Sequence, residues 1–129
     1  MHNNKIAFTN VTIFDGSGGK PYKGSVLVED NRIKRILRGA EKLHDLDAHT
    51  VDGKGDFMMP GMTEAHNHFS WNDQPSLSAI QMMPPEEHIL WCVGVAKRYL
   101  DMGWTSCIGA AAAKARLDVV LRNAINAGQ

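Results

Sequence analysis

Cysteine is scarce, charge of either sign is in balance, and no long hydrophobic run occurs. The two cysteines, Cys92 and Cys107, are too few for a disulfide framework. Neither sits in a C-x-x-C or mixed Cys/His ligand spacing, so both read as small buried hydrophobes. Lys and Arg number 14, as do Asp and Glu. With no basic excess to neutralise phosphates, charge-driven binding to nucleic acid or to a membrane surface is not expected. The stretch Met1-His2-Asn3-Asn4-Lys5 lacks the roughly 7 to 15 apolar residues of a signal-peptide core, and no later segment approaches the roughly 20 needed to cross a bilayer. The expectation is a cytoplasmic protein with no nucleic-acid and no membrane partner. What remains, 129 residues of which 43% are hydrophobic, is an ordinary globular composition with material for one domain or slightly more.

The character of the sequence changes near Pro60-Gly61. Residues 1–59 read as a β-rich segment of short strands and turns. Ile6, Phe8, Val11 and Ile13 alternate up to the turn Asp15-Gly16-Ser17-Gly18-Gly19, and Val26 to Val28 make a second strand. Asp30-Asn31 reads as a two-residue hairpin turn into Arg32–Leu37, whose Ile33, Ile36 and Leu37 are expected to face a core. A further strand pair is expected to flank Gly53-Lys54-Gly55, with Val51 on one side and Phe57-Met58-Met59 on the other.

Residues 60–129 read as strand, helix, strand, helix. Met62 to His68 is strand-like, and a loop with Asn72, Asp73, Pro75 and Ser76 follows. Pro84-Pro85-Glu86-Glu87 opens a helix, with proline and carboxylates suited to its first turn. Ile89, Val93, Ala96 and Leu100 give that helix an inward apolar stripe, and Gly103 stops it. Trp104–Gly109 is the next strand, and Leu117, Val120, Leu121, Ala124 and Ile125 mark a second amphipathic helix that Gly128 caps. Two successive βα units imply a parallel sheet covered on both faces, hence an α/β architecture. Two parallel strands with two helices leave edges and apolar faces without cover. The chain therefore reads as interrupted.

The residues richest in chemistry are His66-Asn67-His68, at the end of the strand that begins at Pro60. Side chains at i and i+2 of a strand point to the same side, so the two imidazoles converge while Asn67 faces away. Neutral imidazole is a good ligand for zinc and its first-row neighbours, and such a pair can fill two corners of a coordination shell. Two histidines one residue apart also occur by chance or as surface residues.

The run Met58-Met59-Pro60-Gly61-Met62-Thr63-Glu64-Ala65-His66-Asn67-His68, preceded by Val51-Asp52-Gly53-Lys54-Gly55, resembles the amidohydrolase superfamily of metal-dependent hydrolases, and within it the imidazolonepropionase-like hydrolases and dipeptidases. The resemblance extends from Ile13-Phe14-Asp15-Gly16 through the second βα unit. It implies a small β-sandwich segment followed by the first two βα units of a (β/α)8 barrel of the TIM type, with His66 and His68 as ligands of a divalent metal, zinc by preference, in a site of one ion or two. It also implies hydrolysis of an amide, carbamate, urea or cyclic-amide bond in a small-molecule substrate by a metal-activated water. Glu64 stands where the family usually has aspartate. It reads either as a carboxylate that orients a ligand or as a buried carboxylate paired with some later arginine or lysine. The family's further metal ligands and proton-moving aspartate come from later strands, so no catalytic residue is assignable here.

Other candidates are weaker. Trp71, in the loop after His68, reads either as a wall of a substrate pocket or as an aromatic covering the barrel top. His88 is expected at the surface, and His2, His44 and His49 have no partner spacing that suggests a site. Asp52 reads as a turn residue. Met58, Met59, Met62, Met82, Met83 and Met102 read as fillers of core gaps. A complete barrel needs about 250 residues, and about 70 follow Pro60. The chain alone is therefore expected to be inactive. The favoured expectation is an N-terminal part completed by a companion or missing polypeptide, in an oligomer. The alternatives are a non-catalytic binding or assembly module with a vestigial metal site, and an inactive truncation.

Overall fold

The computed structural model describes residues 4–39, 43 and 47–129; His2 and His44 lie outside them. The chain divides into two compact units, Met1–Pro60 and Gly61–Gln129.

The first unit is a sheet of β1 (Lys5–Ile13), β2 (Tyr22–Glu29), β3 (Arg32–Arg38), β4 (His49–Asp52) and β5 (Phe57–Met58). β2 lies antiparallel between β1 and β3. The hairpin turn at Asp30-Asn31 forms, with Glu29 opposite Arg32 and Asp30 at φ 54°, a left-handed conformation that Asp tolerates. The strands flanking Gly53-Lys54-Gly55 do not pair with each other as expected. Both run parallel to β1, β4 along Ile6–Thr9 and β5 along Thr12–Ile13. The break between the two pairings coincides with a bulge in β1 between Phe8 and Val11, where Asn10 adopts φ 52°. At the junction the Gly53 and Gly55 N–H groups donate to the Thr9 and Asn10 carbonyls, at 2.8 and 2.7 Å. A Cβ at Gly53 would lie 2.4 Å from Val11 Cγ1, so the close approach requires glycine. Asp52 is the turn residue there. Its Oδ1 accepts from the Lys54 N–H and from Asn10 Nδ2, and these bonds hold its carboxyl below the usual carboxylate range.

Val11, Ile13 and Val26 form the core of this unit, with Phe8, Tyr22, Val28 and Met58 packed against them. β3 departs from expectation: Leu37 is buried, but Ile33 and Ile36 are 64% and 43% exposed. An irregularity in the register places Ile33 opposite Val28 and Ile36 opposite Val26, whereas Leu37 stands opposite Ser25. Directly opposed residues share a face of the sheet, so the two isoleucines lie on the face of Val26 and Val28 but beyond them, at its outer rim. β3 is also the outer strand of the sheet, with no neighbouring strand on its far side among the described residues.

The second unit comprises β6 (Met62–Asn67), a short helix α1 (Leu77–Ile80), α2 (Pro85–Asp101), β7 (Trp104–Gly109) and α3 (Leu117–Asn126). β6 and β7 pair in parallel, as two βα units require. α1 has no counterpart in the sequence reading; its four residues are too short for periodicity, and Ser76 caps it by accepting the Ala79 N–H. α2 starts at Pro85 with Glu86 and Glu87 in its first turn and stops at Gly103, φ 88°. Its buried face is rotated from the expected stripe. Val93 and Leu100 are exposed, whereas His88 and Cys92 are fully buried. Cys92 packs with Leu117 and Leu121 of α3, surrounded by Phe69, Ile89, Ala96 and Ala112. α2 carries apolar residues on both sides, so periodicity alone does not select the buried one. Of the methionines expected to fill the core, Met59, Met82 and Met102 are exposed. No helix among the described residues is long and apolar enough to cross a membrane.

Candidate metal centre

His66 is the penultimate residue of β6, and His68 lies one residue beyond its end. The strand's two-residue period brings their rings together, with Nε2 to Nε2 at 3.2 Å. Asn67 points the other way and is buried, with no hydrogen-bond partner for its amide among the described residues.

The hydrogen bonds decide which atoms can act as donors to a cation. Nδ1 of His68 lies 3.0 Å from the carbonyl oxygen of Ala111. A carbonyl only accepts, so this nitrogen carries the ring proton and the lone pair of a neutral His68 sits on Nε2. That lone pair faces His66. Two nitrogens bound at about 2.0–2.1 Å to one tetrahedral ion stand roughly 3.3 Å apart, and the observed 3.2 Å fits that edge. The carbonyl at the far nitrogen is the usual outer partner of a metal-binding histidine. Among the described residues no third His, Cys, Asp or Glu joins the pair.

Glu64 is half-buried; it stands opposite Cys107 as Asn67 stands opposite Gly109, so the register puts it on the face of Asn67. The ladder to β7 is irregular between Glu64 and Asn67, and there the N–H of His66 donates to Glu64 Oε1 at 3.0 Å. The carboxylate thus secures the backbone of a candidate ligand. Opposite Glu64 on β7 stands Cys107. Burial, with the Glu64 carboxylate adding to it, pushes the Cys107 thiol pKa up, which keeps it a thiol at neutral pH. Trp71 stacks on His68, ring centroids 4.0 Å apart and planes 16° from parallel, and is 42% exposed. It covers one face of the imidazole and leaves the rest of its own surface open.

Four participants escape the sequence reading: the Ala111 carbonyl, Ser70, His88 and Trp91. Ser70 is buried, and its Oγ accepts the Ala113 N–H at 2.7 Å. The Ser70 carbonyl accepts from Nε2 of His88. His88 was expected at the surface, but its ring N–H has a carbonyl to meet, which permits burial. The Trp71 carbonyl accepts from Nε1 of Trp91 at 3.1 Å. A backbone carbonyl leaves no mark in a sequence. The one available signal was the spacing of His88 and Trp91, three residues apart on one helix face.

No known protein-family profile matches the chain. Over 71 residues it is 41% identical to a 5'-deoxyadenosine deaminase of Methanothermobacter thermautotrophicus, an alignment covering 54% of this chain and 16% of that protein. Over 64 residues it is 34% identical to a dihydroorotase of Syntrophotalea carbinolica, covering 50% and 14%. Among solved structures, an amidohydrolase superposes with a TM-score of 0.82 at 22% identity, covering 97% of this chain and 29% of that one. These similarities point to the amidohydrolase superfamily. The α/β fold with its β-rich N-terminal part matches the amidohydrolase neighbour. The aligned stretches span only 16% and 14% of those curated relatives' lengths.

Proposed function

We propose that this chain is the N-terminal part of a metal-dependent amidohydrolase, in which residues 1–59 belong to a β-sandwich and residues 60–129 supply the first two βα units of a (β/α)8 barrel. Its relatives are hydrolases of carbon–nitrogen bonds, and the proposed reaction is hydrolysis of such a bond in a small molecule. The observation that carries the reading is the pair of Nε2 atoms 3.2 Å apart, with the ring proton of His68 placed on its other nitrogen by Ala111. His66 and His68 would hold a divalent cation, zinc by preference; the remaining ligands, and the choice between one ion and two, belong to polypeptide beyond these residues. When bound, such an ion activates water and polarises the carbonyl under attack.

The chain's own residues prepare that site. Ala111 keeps the donor atom of His68 aimed at His66. Glu64 holds the strand at His66. Trp71 shields one face of His68 from water and offers its open surface to substrate. Two ligands are fewer than the three usual for catalytic zinc, so activity requires the rest of the barrel, as a companion or continuing polypeptide. The same 3.2 Å also admits a hydrogen bond from His66 Nε2–H to His68, the arrangement of a non-catalytic module. Metal analysis and turnover of an amide, carbamate and urea panel by the full-length protein separate the two. His66→Ala and His68→Ala are each expected to abolish metal and turnover together; full occupancy and activity in either variant refute the ligand assignment.

A further inference from the structure

We infer that two ring N–H groups of α2, those of His88 and Trp91, form a clamp that orients His68 for metal binding; this rests on the metal reading above. The two residues are three apart on one helix and so face the same way. They hold the carbonyls of consecutive residues in the loop that leaves β6: His88 Nε2 donates to Ser70, and Trp91 Nε1 donates to Trp71 at 3.1 Å. Each held residue then acts on the candidate ligand by a separate route. Ser70 Oγ receives the Ala113 N–H at 2.7 Å, which fixes the loop after β7 whose Ala111 carbonyl takes the His68 ring proton at 3.0 Å. Trp71 lays its ring against His68, 4.0 Å between centroids. One route sets which nitrogen carries the proton, the other sets the plane of the ring.

The burial of His88 argues for a dedicated role. The imidazole is 0% exposed, and its Nδ1 has no partner among the described residues. A leucine there would serve packing alone without an orphaned nitrogen. What the histidine adds is a rigid N–H directed at one carbonyl. Both are positioning residues, since neither touches the pair itself. Outer partners of metal-binding histidines typically change metal affinity or activity by about 10- to 100-fold when removed.

The test uses the full-length protein loaded with cobalt(II), comparing wild type, His88→Gln, His88→Leu and Trp91→Phe by the rate of cobalt loss to a chelator and by the ligand-field spectrum. His88→Gln retains an N–H near the position of Nε2, and Trp91→Phe removes only the indole N–H from a half-buried ring. Expected are cobalt loss accelerated about 10- to 100-fold with an altered spectrum in His88→Leu and Trp91→Phe, recovery toward wild type in His88→Gln, and an unchanged metal-free unfolding midpoint in Trp91→Phe. If His88→Leu does not fold, Trp91→Phe carries the test. Wild-type loss rates and spectra in His88→Leu and Trp91→Phe, or a His88→Gln as impaired as His88→Leu, overturn the clamp while leaving the metal reading standing. A wild-type protein that binds no cobalt overturns the metal reading and the clamp with it.

Discussion

Ser70→Ala removes one oxygen from a nearly closed site, and its effect can be worked from the hydrogen bonds. The residue is 2% exposed, and its Oγ accepts the Ala113 N–H at 2.7 Å. The Ser70 carbonyl, bound by His88, is untouched by the substitution, so only the link between the loops that follow β6 and β7 is cut. The bond is part-buried, and its loss costs about 0.5–1.5 kcal/mol. At one factor of ten per 1.4 kcal/mol, amide exchange across residues 110–116 should quicken about 2- to 12-fold. The control is Ser76→Ala, which removes the cap of the four-residue α1 at an exposed site and should cost about 0.5 kcal/mol, confined to that helix. Hydrogen exchange followed by mass spectrometry of the full-length protein reads both segments together. Unchanged protection of 110–116 in Ser70→Ala, or a change no larger than in Ser76→Ala, refutes the view that this hydroxyl joins the two loops.

In the first unit, Gly24→Ala should lower the thermal midpoint. Its Cβ would stand 2.2 Å from the Leu37 carbonyl oxygen and 2.9 Å from Ile13 Cδ1, and overpacking of about 1–3 kcal/mol exceeds the 0.5–1 kcal/mol or so that Ala gains over Gly in a strand; a neutral or raised midpoint contradicts the register of β2 and β3. The bonds from Lys54 and Asn10 hold the Asp52 carboxyl below its ordinary value. Its contribution to stability is therefore complete above the unfolded pKa of about 3.9 and is lost as pH falls through the lower folded value. Asp52→Asn should flatten the pH dependence of unfolding below about pH 4, and identical acid profiles for the two proteins would show that these bonds contribute nothing.

Local rules made much of this molecule legible. The two-residue period of β6 is enough to bring the rings of His66 and His68 together. Proline with two glutamates opens α2, and a glycine at φ 88° closes it, each a signal within a few residues of its effect. What escaped depends on distant partners. The parallel pairing of β4 and β5 with β1, interrupted at the bulge by Asn10, joins segments far apart in the sequence that no local pattern links. The pattern of α2 does not select its buried side, because Leu90, Val93 and Leu100, all exposed, make its other side equally apolar. The place of His88 in the helix's first turn points to the surface, whereas its partner is a backbone carbonyl on Ser70, which any sequence could supply. In β3 the neighbours Ile36 and Leu37 alternate as the strand period requires, but the register irregularity also turns Ile33 to the face opposite Leu37, which no local pattern announces.

The most direct test is anomalous diffraction from crystals of the full-length protein at the zinc edge. A peak within about 2.0–2.2 Å of both His66 Nε2 and His68 Nε2 is the predicted result. Ordered rings joined by a hydrogen bond with no peak between them, or a peak elsewhere that neither ring touches, would contradict the account.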